Sequence, residues 1–305
     1  MAKSSKSTEE SELKSLLLRL LALLNAADET DTASDTRVPR YPCALKALPK
    51  EKLVGAASRA VQINPTNHPA THLWAMSGVG AAASTLPPEA IAVLTTKYWG
   101  AGGVKLTVGF MEPIDQDLKD RILSHMNAWS TYGNVTFTSV TTDPQVRITR
   151  DTGGYASYLG TDILSIDSSQ PTMWLQAFTM NTEESEFHRV VRHETGHTLG
   201  FPHEHMRKEI VANIDSEKAI ALFMRTQGWS REEVIAQVLT PLDQSTLNAA
   251  PIDPESIMCY ALPGSIMKDG QPVPGGTDID AEDGSFAATI YPKTGAEPKS
   301  VPRYY

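Results

Sequence analysis

Cysteine is almost missing from this chain. Two residues in 305, Cys43 and Cys259, exclude a disulfide framework, so a hydrophobic core has to supply the stability. Basic charge is also short: 27 lysines and arginines face 36 aspartates and glutamates, a formal net charge of −9. With no basic block, nucleic acid and an anionic membrane surface are not expected as partners. Long apolar runs are absent as well. The nearest, residues 16–27, is broken by Arg19 and preceded by Glu9, Glu10 and Glu12. It suits neither a bilayer span nor a secretory leader and predicts a short amphipathic helix. No membrane insertion is expected, and the protein is expected in the cytoplasm or exported by a leaderless route. What remains is an ordinary globular composition, 41% apolar and 21% charged, long enough for one large domain or two modest ones.

The chain divides into a disordered, charged tail at 1–40, an N-terminal helical or prosegment-like region at 41–95, a main domain at 96–293 and a C-terminal tail at 294–305. Helical spacing covers 45–61 and stops at Asn64-Pro65. Val104, Leu106, Val108 and Phe110 alternate as a strand. Asp115 is placed to cap a helix carrying Leu118, Ile122, Met126 and Trp129 on one face, closed by Gly133. Further strands are predicted at 135–140, 146–149, 155–159, 163–166 and 172–178, separated by Pro144, Gly153, Gly154, Gly160 and Pro171. Asn181 with Glu184 resembles a capping box opening a helix that runs to Leu199 and stops at Gly200. Asp215, Ser230 with Glu233, and Asp280 open three more helices, which end near Gly228, before Pro241 and at Tyr291. One strand, a helix, several strands, a helix and then a helical, loop-rich half predict an α+β arrangement around one sheet.

The chemistry is concentrated in one segment, His193-Glu194-Thr195-Gly196-His197-Thr198-Leu199-Gly200-Phe201-Pro202-His203. His193 and His197 are four apart on the predicted helix, so they stack on one face and are able to share a cation. Glu194 lies one step round, in reach of a water on that cation but badly placed to ligate it. Gly200 takes positive φ without penalty, which lets the chain turn and return His203. Three neutral imidazoles leave a fourth position open, the arrangement of a catalytic zinc rather than a closed structural one. One Zn2+ is expected, with Glu194 as the base for the water it acidifies.

The full pattern H-E-x-x-H-x-x-G-x-x-H, followed downstream by Ser256-Ile257-Met258-Cys259-Tyr260, resembles the zinc motif and Met-turn of the metzincin zinc proteases. The continuation Phe201-Pro202-His203-Glu204-His205-Met206-Arg207 is similar to that of the astacin branch, and the likeness extends over residues 97–293. It implies a metzincin-like catalytic domain: a twisted five-stranded mixed sheet with the active-site helix, plus an irregular, helical C-terminal subdomain. It also implies that Met258 floors the three imidazoles and that Tyr260 assists the oxyanion. The segment Gly154-Tyr155-Ala156-Ser157-Tyr158-Leu159-Gly160 resembles the family's upper-rim strand, which pairs antiparallel with the substrate main chain. This places Tyr155, Ser157 and Leu159 on the substrate strand.

The departures are as informative. The family disulfides are missing, Cys259 stands where its turn carries histidine, and no F-x-G-D aspartate latch precedes the domain. Cys43, after Arg40-Tyr41-Pro42, is a possible thiol latch on the zinc; it is equally placed for a disulfide with Cys259, or for simple burial. His68 and His72 flank Pro69 and read as loop histidines. His188 and His205 are additional histidines near the motif, His205 being placed to support the ligands from behind. The expected activity is a zinc endopeptidase acting on peptide or protein substrates. A zinc-holding peptide-binding module and an exopeptidase are the alternatives.

Overall fold

Branched and aromatic side chains on one face of an alternating run need a layer to cover them, and the sheet is built on that demand. In this computed structural model, which describes residues 43–69, 95–242 and 252–293, β2 (Val104–Phe110) buries Val104, Leu106 and Val108. It pairs in parallel with β3 (Val135–Ser139), Val104 opposite Val135, and with β4 (Val146–Thr149), Val108 opposite Val146. Then β4 pairs in parallel with β6 (Met173–Leu175), and β6 pairs antiparallel with β5 (Tyr155–Tyr158). The sheet holds six strands rather than five. The sixth, β1 (Ala44–Lys46), lies parallel beside β5 and gives the order β1-β5-β6-β4-β2-β3. The described residues all belong to one compact unit. The tail read at 1–40, with its helix at 16–27, and the tail at 294–305 lie outside the described residues, as does His72.

Helix α2 (Gln116–Met126) lays Leu118, Ile122 and Met126 on the sheet. Helix α3 is assembled from a first turn, Glu184–Glu186, a wider π-type stretch, Phe187–Val191, and the α-helical Arg192–Thr198. Its Phe187, Val190 and Val191 join the same core, with Trp129 wholly buried beside them. A second apolar cluster is built from α4 (Lys208–Asn213), α5 (Ser216–Gln227), α6 (Arg231–Val234, continued by the π-type turn Ile235–Leu239) and the strand-poor segment around Leu262 and Ile266. Helix α7 (Ala281–Ile290) closes the chain against the first core through Ala287 and Tyr291. Among the described residues no helix is long and apolar enough to cross a membrane.

Four sequence expectations are corrected. Helix α1 spans Leu53–Ile63 rather than 45–61, because Pro49 removes a donor and residues 44–46 find a ladder on β5 instead. Residues 163–166 are not a strand. Gly160, at φ 47°, turns the chain into a 3-10 turn, Gly160–Ser165, that sits on the Lys97 carbonyl through Thr161 N. The strand expected at 172–178 shrinks to β6, since Ala177 at φ 60° bends the chain so that its N–H reaches Arg150 O. Asn181 does not cap α3: Thr179 and Thr182 form a local turn, and Glu184 gives its carboxylate to Arg121. The caps at Asp215, Ser230 and Asp280 form as expected, the last two as capping boxes, and Gly228 ends α5 at φ 68°.

Asn67 binds α1 to the chain entering β2. Its side-chain amide donates to Ala60 O (2.9 Å) and Tyr98 O (2.8 Å), and its oxygen accepts from Thr96 Oγ1 (2.8 Å) and Tyr98 N (3.1 Å). All four of its hydrogen-bonding positions are filled inside the protein, which makes this a rigid joint.

Candidate active site

The helical part of α3 places His193 and His197 one turn apart, their rings edge to face at 4.7 Å. Gly200, at φ 98°, ends the helix; its N–H bonds His197 O and that of Phe201 returns to Gly196 O. This reversal carries His203 back to the pair. Inside α3 a second glycine of the segment, Gly196, has another duty. A Cβ there would collide with the Met258 sulfur and with Trp129, so glycine lets the Met-turn lie directly under the helix.

Protein carbonyls fix the imidazoles. His193 Nδ1 donates to Ile257 O at 2.6 Å and His197 Nδ1 to Phe201 O at 2.7 Å. A carbonyl only accepts, so both Nε2 atoms are left as lone pairs. They face His203 Nε2 at 3.3 and 3.0 Å. All three rings are buried, and burial lowers each pKa, to about 4 for His193 and well below the ordinary value for His197 and His203. No carbonyl fixes the His203 tautomer, since its Nδ1 has no hydrogen-bond partner among the described residues. With the proton on Nδ1, three lone pairs converge in a dry site and repel one another unless a cation sits between them. A tetrahedral zinc with bonds near 2.0–2.1 Å would set its ligand nitrogens roughly 3.3 Å apart, so the donor set fits zinc in chemistry and in spacing.

Glu194 points from α3 toward the same space and is fully buried. Its Oε2 accepts from Ser157 Oγ at 2.7 Å, while Oε1 has no hydrogen-bond partner among the described residues. Burial raises its pKa to about 7, with the Cys43 thiol, the Ser157 hydroxyl and the distant Arg189 and Lys46 charges pulling it part of the way back. A buried carboxylate that holds one oxygen on Ser157 and leaves the other unpartnered is placed as a proton shuttle requires.

Cys43 completes the cluster. Its sulfur and one nitrogen from each of His193, His197 and His203 all lie within 4.8 Å of one another. Both cysteines are free and buried, so the alternative disulfide does not form; Cys259 turns its thiol toward the Tyr260 carbonyl. Tyr260 packs beside His203 (4.4 Å), stacks on His205 (3.9 Å, 17°) and gives its hydroxyl to Cys43 O. His205 Nε2 bonds Gln237 O at 2.9 Å and its ring lies 4.9 Å from that of His203, with no hydrogen bond to a ligand histidine among the described residues. His188 sits elsewhere, on Asp278 and Glu184.

The expected substrate strand is brought to the site in part. Tyr155 and Ser157 lie on β5, but Leu159 falls outside it, at the start of the Gly160–Ser165 turn. Ser157 faces inward to Glu194. Three residues escaped the sequence reading. Asp283 holds the Met-turn by accepting from Ser256 Oγ (2.6 Å) and Ile257 N (2.8 Å); in sequence it shows only as the capping-box partner of Asp280. Gln237 uses both ends of its amide on one residue of β1, accepting from Leu45 N (3.1 Å) and donating to Leu45 O (2.9 Å). Trp174 lies under the ammonium of Lys46, 5.0 Å from ring centre to nitrogen. No local pattern marks the last two.

Comparison with known proteins bears on this arrangement. The model of the Astacin peptidase family matches residues 93–265. Two structures of myroilysin are similar. One has 32% identity, TM-score 0.60, and spans 65% of this chain and 96% of its own; the other has 34% identity, TM-score 0.50, and spans 65% and 86%. The hatching-enzyme zinc protease HCE-1 of the medaka fish Oryzias latipes aligns at 19% identity and TM-score 0.42, over 63% and 92%. A search among curated proteins gave no match.

Proposed function

Because the chain belongs to the astacin family of peptidases, it is a zinc metallopeptidase, and we propose that it is an endopeptidase held shut by Cys43. The observation that carries this is the position of Cys43. It is an internal residue, preceded by 42 others, and it sits among the three histidines. From Cys43 the chain continues along β5 as Ala44–Lys46, so the site takes an extended main chain beside the histidines, as binding the middle of a peptide requires.

His193, His197 and His203 would hold the zinc, which supplies a Lewis acid for the scissile carbonyl and acidifies water. Glu194 Oε1 takes the proton of the attacking water and returns it to the leaving nitrogen, while Ser157 keeps Oε2 in place. Tyr260 donates to the developing oxyanion once its hydroxyl is released from Cys43 O. Met258 supports the ligands from below, against Gly196. Substrate pairs with β5 where β1 now lies.

The strap 43–46 mimics a substrate without being one. It runs parallel to β5, opposite in sense to the antiparallel pairing expected of a substrate, and offers the metal a thiol rather than a carbonyl. Burial raises the Cys43 pKa well above its ordinary value, which zinc ligation would reverse.

The test is a mass-spectrometric survey of end-blocked and free-ended peptides with full-length protein, Cys43→Ala and Glu194→Ala, each with and without chelator. Internal cuts that need zinc and Glu194, and that increase in Cys43→Ala, are expected. Cuts restricted to free-ended peptides would establish an exopeptidase, and none in any variant would leave a zinc-holding peptide-binding module.

A further inference from the structure

The strap shows how this cleft grips a main chain and one of its side chains. In a strand, the N–H and C=O of one residue point to the same side, and those of its neighbours to the other. Ala44 and Lys46 are in register with Ala156 and Tyr158 of β5, and Leu45 turns its N–H and C=O outward to Gln237. The groove is therefore bounded by β5 on one rim, and the Gln237 side-chain amide stands on the other. Lys46 projects on the face of the sheet that carries Tyr158 and reaches across β5 to Trp174, whose ring lies 5.9 Å from that of Tyr158. Lys46 and Trp174 are both half-buried, and an ammonium within 6 Å of an indole face makes a cation–π contact. Gly153, at φ 143°, brings its backbone against the indole edge and pins the ring.

We propose that Trp174 and Gln237 form a substrate subsite in which Gln237 takes the main chain and the Trp174 face receives a lysine or arginine side chain. This rests on the endopeptidase reading above. Residues directly opposite on neighbouring strands share a face whichever way each strand runs, so an antiparallel substrate residue opposite Tyr158 also projects over Trp174. Tyr158 sends its N–H to Thr172 O, just before β6, so Ser157 faces the groove. In an antiparallel pair opposite residues face in or out together. The substrate residues that turn N–H and C=O outward to the Gln237 rim are therefore those opposite Ala156 and Tyr158, one position from the place of Leu45. Cys43 marks the metal and Lys46 lies three residues further along the strap. With direction reversed, the basic residue falls about three positions to the amino-terminal side of the cut. Glu233 lies on the same rim; its carboxyl is held low chiefly by Ser230 and further by the Lys46 charge.

The test uses full-length, zinc-loaded Cys43→Ala protein and end-blocked peptides that carry either lysine or uncharged norleucine at each position around the cut. Lysine three residues before the cut should raise kcat/KM about tenfold, through KM, the scale of a partly desolvated cation–π contact. Trp174→Ala should bring that ratio close to one and Trp174→Phe should keep part of it, while Gln237→Ala raises KM for both peptides alike. Equal rates at every position, or a preference that survives Trp174→Ala, overturns the proposal. A second readout needs no catalysis: the alkylation rate of Cys43 in the otherwise unaltered chain. Lys46→Met should raise it severalfold, and Lys46→Met with Trp174→Phe should go no further; an unchanged rate in Lys46→Met overturns the subsite. If no peptide is cut, the endopeptidase reading fails while the thiol rates still decide the subsite.

Discussion

Three groups among the described residues gather metal-binding atoms within 4.8 Å of one another, and two of them behave as opposites. Around His197 every donor is buried, two of the rings are fixed by carbonyls with their Nε2 lone pairs turned to His203, and His203 Nδ1 has no hydrogen-bond partner among the described residues. Around His188 the group is His125, Glu184 and His188, and each donor is already answered. Arg121 forks onto Glu184 at 2.6 and 3.2 Å, His125 Nε2 reaches it at 3.1 Å, and Asp278 holds His188 at 2.7 Å and Arg192 at 2.5 Å. Two arginines supply there the positive charge that a metal would bring. Convergence alone does not make a metal centre; buried donors left unanswered by the protein do.

That contrast can be broken most severely at the ligands. Purified protein should carry one zinc per chain by elemental analysis, His197→Ala should carry close to none and lose all activity, and Glu184→Ala should keep its zinc. Next comes the base. Glu194→Ala should retain zinc yet lose at least ~10²-fold in kcat, and retained turnover would refute the assigned role. A smaller effect separates the latch from the ligands: Cys43→Ser should raise peptidase activity of the full chain roughly tenfold or more while zinc content stays unchanged, because a hydroxyl is a poorer zinc ligand than a thiolate.

The mildest test concerns the second group. Burial lowers the His125 pKa to about 4, with Arg192, His188 and Arg121 adding to the fall and Glu184 opposing it. The unfolded chain, titrating near 6.5, then binds this proton more readily than the folded one, so stability should fall as pH drops from about 6.5 to about 4. Replacing His125 by Gln should flatten that slope by roughly 1–3 kcal/mol, read as the difference in Tm across the range. An identical slope in the variant would mean that the imidazole is charged in the fold.

Features encoded by neighbours in the chain were legible in the sequence. The caps at Asp215, Ser230 and Asp280 need only a side chain and a backbone N–H three residues on. The ligand set needs one helical turn and one glycine, and so reads off the spacing. Features made by distant partners were not. A three-residue strand such as β1 has no pattern of its own and exists because β5 offers it a ladder. The inward turn of Ser157 onto Glu194, the Gln237 clamp 192 residues from Leu45, and the support that Asp283 gives the Met-turn all depend on the assembled fold.

The joint at Asn67 gives the strap a further property. Helix α1 stays docked by four hydrogen bonds around that amide and by Arg59 on Leu164 O, and six residues separate Lys46 from Leu53. The Cys43 thiol is thus a tethered ligand whose effective concentration at the metal is of millimolar order, set by the tether and not by the solution. Dilution leaves its occupancy unchanged, and a competing thiol has to match that local concentration. A single chain break between Cys43 and α1 cancels the advantage at once, turning a unimolecular return into a bimolecular one.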